Sequence, residues 1–318
     1  MAYTGGYLHH NQYDMPASYE IDKSTILTFM FTTVDDAMKR LPTSYTRRPG
    51  VPPKLSDSEV VTLALYQEFI GESREDHFFR LHGTELKSHF PQLNERSRFH
   101  RRKKDLWLVI AAVRVVLVAL LATFEEEVGL IDSTPVPVVT YGRDKRHTRF
   151  HEADYGRCGS KGMKFFGYRM TTLVALTGAV IDFVLTAGNH HDSRVVEEFL
   201  LQQRARLRAV LGDKGYVIDP SVHQALREQL SLFLYSPRKK NQARTESQES
   251  EKKKTAVRLL VETVNAQLQE QLNPSKHYAK SPWGLYTRIM AKLAAHALGM
   301  VVNKLLGRPL LSLASLAY

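Results

Sequence analysis

The sequence predicts an α/β protein: a mixed sheet flanked by helices, preceded by an all-helical N-terminal region. Two observations carry this expectation. Hydrophobic periodicity is helical in every patterned segment up to about residue 125, and strand-like runs begin only after it. Those runs come first as neighbours joined by a tight turn, then in alternation with helices, an order that gives hairpins and then crossovers in one sheet. The expected division is therefore 1–125 helical and 126–318 sheet-containing, with a basic loop at 237–255 and a C-terminal helix at 286–306.

The elements follow in order. Lys23 to Arg40 is the first helix, and the breaker-rich TRRPGVPPK ends that unit. LSDSEVVTLALYQEFI carries a clear start signal: Ser56 caps, Glu59 completes a capping box, and Leu55 staples onto Val60. Asp76 to Leu86 is a further helix, and Asn94 to Phe124 reads as one long one. The apolar part of the latter, LWLVIAAVRVVLVALLATF, is as long as a membrane span. Arg114 near its middle is costly in hydrocarbon, so the segment reads as a buried core helix.

Beyond residue 125, EVGLIDSTPVPVV is a short apolar strand that stops at proline. FFGYRMTTLVAL and AVIDFVLTAG are strands around a Thr177-Gly178 turn. DSRVVEEFLLQQRARL is an amphipathic helix whose simplest N-cap is Asp192. RAVLGDKGY is a strand entering a glycine turn, SVHQALREQL a helix, LFLYSP a strand and TAVRLLVETVNAQLQEQL a long helix. The order is β-β-β-α-β-α-β-α. The last helix, Tyr286 to Leu306, has Leu293, Ala294, Ala297, Leu298 and Val301 on one side, for core packing or for an interface between copies.

Charge narrows the partner. Across 318 residues, Lys+Arg 44 against Asp+Glu 33 gives a formal +11, a field that draws polyanions, nucleic acid before an anionic membrane. The single Cys158 excludes an internal disulfide framework and a cysteine-rich zinc module, and fits a reducing cytoplasm. The polar start MAYTGGYLHHNQYDMPASYEID has no secretory apolar run. Arg96, Arg98, Arg101, Arg102, Lys103 and Lys104 form the densest basic cluster, read as a phosphate-contacting surface in preference to a solvated helix start. Lys161 and Lys164 suit either phosphate neutralisation or a solvated strand edge. Loop 237–255 is either solvated or DNA-contacting.

Three carboxylates stand out by position. Asp132 follows Val128-Gly129-Leu130-Ile131 at a strand's end, Asp213 follows Ala209-Val210-Leu211-Gly212 at another, and Glu262 follows Leu259, Leu260 and Val261 in an apolar helix. Singly each has an ordinary reading, a turn residue for the first two and a solvated helix residue for the third. Jointly, two strand-end acids and one helical acid of the same α/β unit suit a shared task. Buried carboxylates are expensive unless compensated, and a cation compensates them. Oxygen donors without histidine–cysteine clusters favour Mg²⁺ or Mn²⁺. Three such groups can hold two ions about 4 Å apart, one activating a water or a DNA 3′-hydroxyl and one stabilising the departing oxygen.

The stretches PKLSDSEVVTLAL, LIDSTPVPV, YGRCGSKGMKFFGYRM, LTAGNHHDSRVVEEFL, GDKGY and RLLVETVNAQL, from residue 53 to 268, resemble DDE transposases of bacterial insertion sequences, most closely the insertion-sequence 982 family. The resemblance implies an RNase H-like catalytic fold, shared with retroviral integrases, with Asp132, Asp213 and Glu262 as catalytic and metal-binding residues. Related transposases carry a tyrosine, an arginine, the glutamate and a lysine at fixed spacing on the last catalytic helix. Here Arg258 and Glu262 keep their interval, while Thr255 replaces the tyrosine and Gln269 the lysine. Arg258, four residues before Glu262, shares its helix face and either holds that carboxylate or contacts phosphate. Lys214 beside Asp213 joins the DNA-facing set, and His190 and His191 fall near the site.

The functional expectation is a transposase with two Mg²⁺ or Mn²⁺ ions per site. It acts on transposon terminal inverted repeats and target DNA, as a homodimer on DNA, in the cytoplasm and nucleoid of a prokaryote. The helical region 1–125 would grip the element's end. Two alternatives are an RNase H-like nuclease without strand transfer and a catalytically silent, transposase-derived DNA-binding protein.

Overall fold

The computed structural model describes residues 21–46, 50–93, 95–121, 126–139, 149–158, 162–202, 207–237 and 248–317, without the side chains of 46, 248–253, 255, 256 and 317. Lys161, most of the basic loop, the first twenty residues and the side chain of Thr255 lie outside that description.

The N-terminal region is helical, as expected. Helix α1 (Lys23–Lys39) starts where the Asp22 side chain accepts from Thr25 N. After the short α2 (Thr43–Thr46), α3 (Asp57–Phe69) opens with the capping box: Glu59 N donates to Ser56 Oγ at 3.2 Å and Ser56 N donates to Glu59 Oε2 at 2.6 Å. Leu55 and Val60 are both buried in the same core, as the staple requires.

Helix α4 (Glu75–His89) follows. The single helix expected over 94–124 is instead two, α5 (Arg96–Asp105) and α6 (Trp107–Leu120), broken at Leu106 with φ −90° and ψ 9°. The two halves have different tasks. In α5 only Phe99 is buried, whereas α6 buries Val109, Ile110, Val113, Arg114, Leu117 and Val118. A break lets each half take its own orientation.

The sheet has the order β2-β3-β1-β5-β6, with β4 also beside β3. Strand β1 (Val128–Val139) pairs antiparallel with β3 (Met163–Ala175) and parallel with β5 (Ala209–Leu211), and β5 pairs parallel with β6 (Phe233–Tyr235). Long β3 carries two strands end to end on its other side, β2 (Asp154–Cys158) and β4 (Val180–Ala187). The turn from β3 to β4 is at Gly178, whose φ of 88° favours glycine.

Two expectations change here. Strand β2 lies in a polar stretch that the apolar pattern does not mark. And β1 does not stop at proline but runs through Pro135 and Pro137. Beyond Leu130 its ladder with β5 ends, and two prolines two residues apart face the same side of the strand, so neither need interrupt the pairing with β3.

Helices cover both faces. Ile131, Leu173 and Val210 pack with α7 (Asp192–Leu201) and α8 (Pro220–Leu230) in one core. Leu130, Val136 and Leu211 share the other core with α9 (Gln248–Gln267), α10 (Pro282–Leu305) and the N-terminal helices. A π-helical segment, Leu268–Leu272, continues α9, and α11 (Ala314–Ala317) ends the fold. Leu293, Ala294, Ala297, Leu298 and Val301 are all buried within the chain, where α10 packs on α1, α3 and α6.

Two buried cations join the layers. Lys292 of α10 lies 2.6 Å from Glu68 of α3, both side chains 2% exposed. Arg114, the charge inside the apolar helix, donates to Val180 O at 3.1 Å and Ile181 O at 3.0 Å, with Asp182 at 3.8 Å. Its cost is thus met by the start of β4. Among the described residues no helix is long and apolar enough to cross a membrane.

Candidate active site

Asp132 and Asp213 are brought side by side by strand register. Leu130 pairs with Leu211, and each aspartate lies two residues further along its chain. At that level β5 has ended and the chain turns, whereas Asp132 lies inside β1 and not at its end. What ends there is the parallel neighbour.

Strand alternation turns Asp132 toward the face occupied by α9, the same face as Leu130. There Asn265 Nδ2 donates to Asp132 Oδ2 at 2.7 Å, and Ser133 N donates to Oδ1 at 2.8 Å. Burial, helped by the charges of Asp213 and Asp192, pushes the Asp132 carboxyl up to about 6, against the hydrogen bonds from Ser133 and Asn265. Asp213 caps the 3₁₀ turn Lys214–Tyr216, accepting from Gly215 N at 2.7 Å.

Asp192 is not the N-cap of α7. His191 takes that position, with no side-chain cap bond, and Asp192 is the first helical residue. Its carboxylate turns toward the sheet, where Ser133 hydrogen-bonds it and Arg169 of β3 lies 3.9 Å away. Those two partners outcompete the amides of its own helix end. Burial raises its carboxyl, and so does Asp213, while Ser133 and Arg169 oppose the shift. Tyr216 is fully buried against these three acids, and burial pushes its phenol well up. Arg169 Nη1 also reaches Ser133 Oγ at 3.4 Å.

Glu262 is on α9, one turn before Asn265 on the same helix face. Its side chain is 58% exposed and lies 3.9 Å from Arg258. Further along that face, Gln269 Nε2 donates to Thr134 Oγ1 at 2.8 Å. The residue standing in place of the expected lysine therefore ties the helix to β1. Among the described residues, no group of three or more His, Cys, Asp or Glu side chains already forms a metal-ion arrangement. The donors gathered around Asp132 are nevertheless carboxylate oxygens with the unpartnered hydroxyl of Tyr216, a set suited to a hard divalent cation.

The basic residues separate into two kinds. Arg102 pairs with Asp57 and Leu55 O, and Lys103 pairs with Glu75 and reaches Gln67 Oε1 at 3.3 Å, so both are turned inward. Arg98, Arg101, Lys104, Lys164 and Lys214 are exposed. His190 and His191 are exposed at the rim of a 640 Å³ cleft between β4 and α7.

Sequence reasoning missed Asn265, Ser133, Arg169 and Tyr216 as parts of this site. Only Arg169 left a signal, a charge within the otherwise apolar pattern of β3. A family profile described as "Transposase DDE domain" matches residues 123–298, more than half of the chain. Neither a search of curated proteins nor one of solved structures finds a match.

Proposed function

The chain belongs to the DDE transposase family, and on that premise we propose that it cleaves transposon ends and joins the freed 3′-hydroxyl to target DNA. The observation that carries the reading is the juxtaposition of Asp132, inside β1, with Asp213, just past the end of the parallel neighbour β5, where burial first and the charge of Asp213 second raise the Asp132 carboxyl. In this reading the two aspartates and Glu262 hold Mg²⁺ or Mn²⁺, two ions per site. The bound ions supply activation of the attacking hydroxyl and stabilisation of the departing oxygen.

The chain's own residues do the rest. Asn265 and the Ser133 amide fix the orientation of the Asp132 carboxylate, each oxygen keeping a second lone pair available. Glu262, exposed on the same face of α9, swings from Arg258 toward the pair, and Arg258 is then released to phosphate. Lys164 and Lys214 line the DNA path beside the carboxylates, and Arg98, Arg101 and Lys104 on α5 extend it onto the helical region, which grips the element's end. Two ends must be processed together, which favours a homodimer on DNA. Membership of the insertion-sequence 982 group and action at a prokaryotic nucleoid are part of the same proposal.

The test uses pre-cut ends carrying a 3′-hydroxyl, a target duplex and Mg²⁺ or Mn²⁺. Joined products that vanish in excess EDTA and in Asp132→Asn are expected. Cleavage without joining would identify a nuclease, and DNA activity undiminished in EDTA would end the metal reading.

A further inference from the structure

Asp192 belongs to neither of the two strands that deliver Asp132 and Asp213. It comes from the first position of α7, the helix packed on the Ile131–Leu173–Val210 face of the sheet. A Cβ built on Gly215 would stand 2.9 Å from Asp213 Oδ1 and 3.2 Å from Asp192 Oδ2. The two carboxylate oxygens therefore flank one small space and lie within about 6 Å of each other. A side chain at position 215 would crowd both oxygens.

Ser133 and Arg169 leave one carboxylate oxygen of Asp192 unmatched. Its nearest cation, Arg169, is 3.9 Å away, beyond hydrogen-bond reach, and Asp192 Oδ1 is buried without a hydrogen-bond partner. A second buried polar group lies within the field of these acids. The Tyr216 side chain is fully buried, close enough to feel the charges of Asp192, Asp132 and Asp213, and its hydroxyl, with the Ser133 side chain nearby, completes no hydrogen bond within 3.5 Å. A buried hydroxyl without a hydrogen bond is costly, and an unpaired carboxylate oxygen more so. A hydrated divalent cation held by these carboxylates would satisfy both, its charge compensating the acids and its water supplying a partner for the hydroxyl; Mg²⁺ in particular retains several waters when bound by few carboxylates.

We propose that Asp192 is a further carboxylate of the metal site, sharing with Asp213 and Asp132 a hydrated divalent cation, directly or through its waters, with the Tyr216 hydroxyl as the buried partner of that hydration shell. The proposal rests on the transposase reading of Asp132 and Asp213. It adds a residue that the triad of two aspartates and one glutamate leaves out.

Mn²⁺ binding to the full chain without DNA, followed by calorimetry or by loss of the free-ion paramagnetic resonance signal, tests it apart from catalysis. Wild type, Asp192→Asn, Asp192→Glu, Tyr216→Phe and Asp132→Asn are compared, with metal-free melting temperatures as the control for folding. The expected result is that Asp192→Asn weakens Mn²⁺ binding roughly tenfold to a hundredfold, Tyr216→Phe by less, and Asp192→Glu recovers part of the loss. If Asp192→Asn binds as wild type while Asp132→Asn does not, the assignment of Asp192 is wrong and the underlying reading stands. If wild type itself binds no Mn²⁺, both fall. A folded Asp192→Asn that keeps its affinity but loses melting temperature would reduce Asp192 to a partner of Arg169 and overturn the proposal.

Discussion

Asn265 of α9 donates to Asp132 of β1 at 2.7 Å, so a helix at the far end of the sequence orients the carboxylate at the centre of the sheet. The contact does more than anchor a helix. Gln269, one turn on, reaches Thr134 in the same direction, so α9 is laid along β1 by two side-chain amides. Glu262 precedes both on the same face.

The first prediction follows from that contact. Asn265→Ala removes a hydrogen bond to a charged acceptor, a loss of about 1.5–3 kcal/mol if it is fully felt in the reaction. Strand-transfer rate should fall roughly ten- to a hundredfold with little change in melting temperature. Full activity in Asn265→Ala would mean that Asp132 needs no such positioning.

The pH dependence of stability supplies a second. The Asp132 carboxyl is raised from 3.8 to about 6, so the native state holds the proton more tightly than the unfolded chain. Its contribution is fully present below about pH 4 and is lost as pH rises through about 6. Above that, the ionised group disfavours the metal-free fold by about 3 kcal/mol. Asp132→Asn should therefore raise the metal-free melting temperature at pH 8 and make no such gain at pH 4. A destabilised Asp132→Asn at pH 8 would contradict it.

The pair Lys292–Glu68 offers a third, this time on the fold. Lys292→Met strands a buried carboxylate and should cost about 3–5 kcal/mol by denaturant unfolding. The double variant Lys292→Met with Glu68→Met should recover most of that. Simple addition of two losses would show that the ion pair does not couple α3 to α10 as its geometry implies.

The basic helix α5 gives a fourth. Arg101→Ala with Lys104→Ala removes two exposed charges and should weaken DNA binding while reducing the salt slope by about one to two. Arg102→Ala breaks an internal pair with Asp57 and should instead lower the melting temperature. An unchanged salt slope in the first variant would remove those two residues from the DNA surface.

Much of this arrangement was legible locally. The capping box at Ser56 and Glu59, the Thr177-Gly178 turn and the amphipathic helices formed because their signals are short-range: a hydroxyl meeting an amide three residues on, or an apolar stripe seeking cover. The same locality explains the errors. Nothing within 94–124 announces a break at Leu106, because the break arises from what α5 and α6 separately pack against. Pro135 and Pro137 end a strand only when its neighbours need both edges, and the loss of β5 beyond Leu130 is not written near them. Asp192 has the sequence of a cap, but Ser133 and Arg169, 59 and 23 positions away, draw it elsewhere.

The sequence by itself determined the class of the protein: helices first, then a mixed sheet with acids at the ends of its strands, because periodicity and turn chemistry act between near neighbours. Which acids meet was decided only by the tertiary structure. Strand register carries Asp132 and Asp213 to one level, helix α7 brings Asp192 beside them, and α9 lends Asn265. Charge interactions fall off with distance through space and are indifferent to distance along the chain, so the raised carboxyl of Asp132 exists only once the sheet has formed.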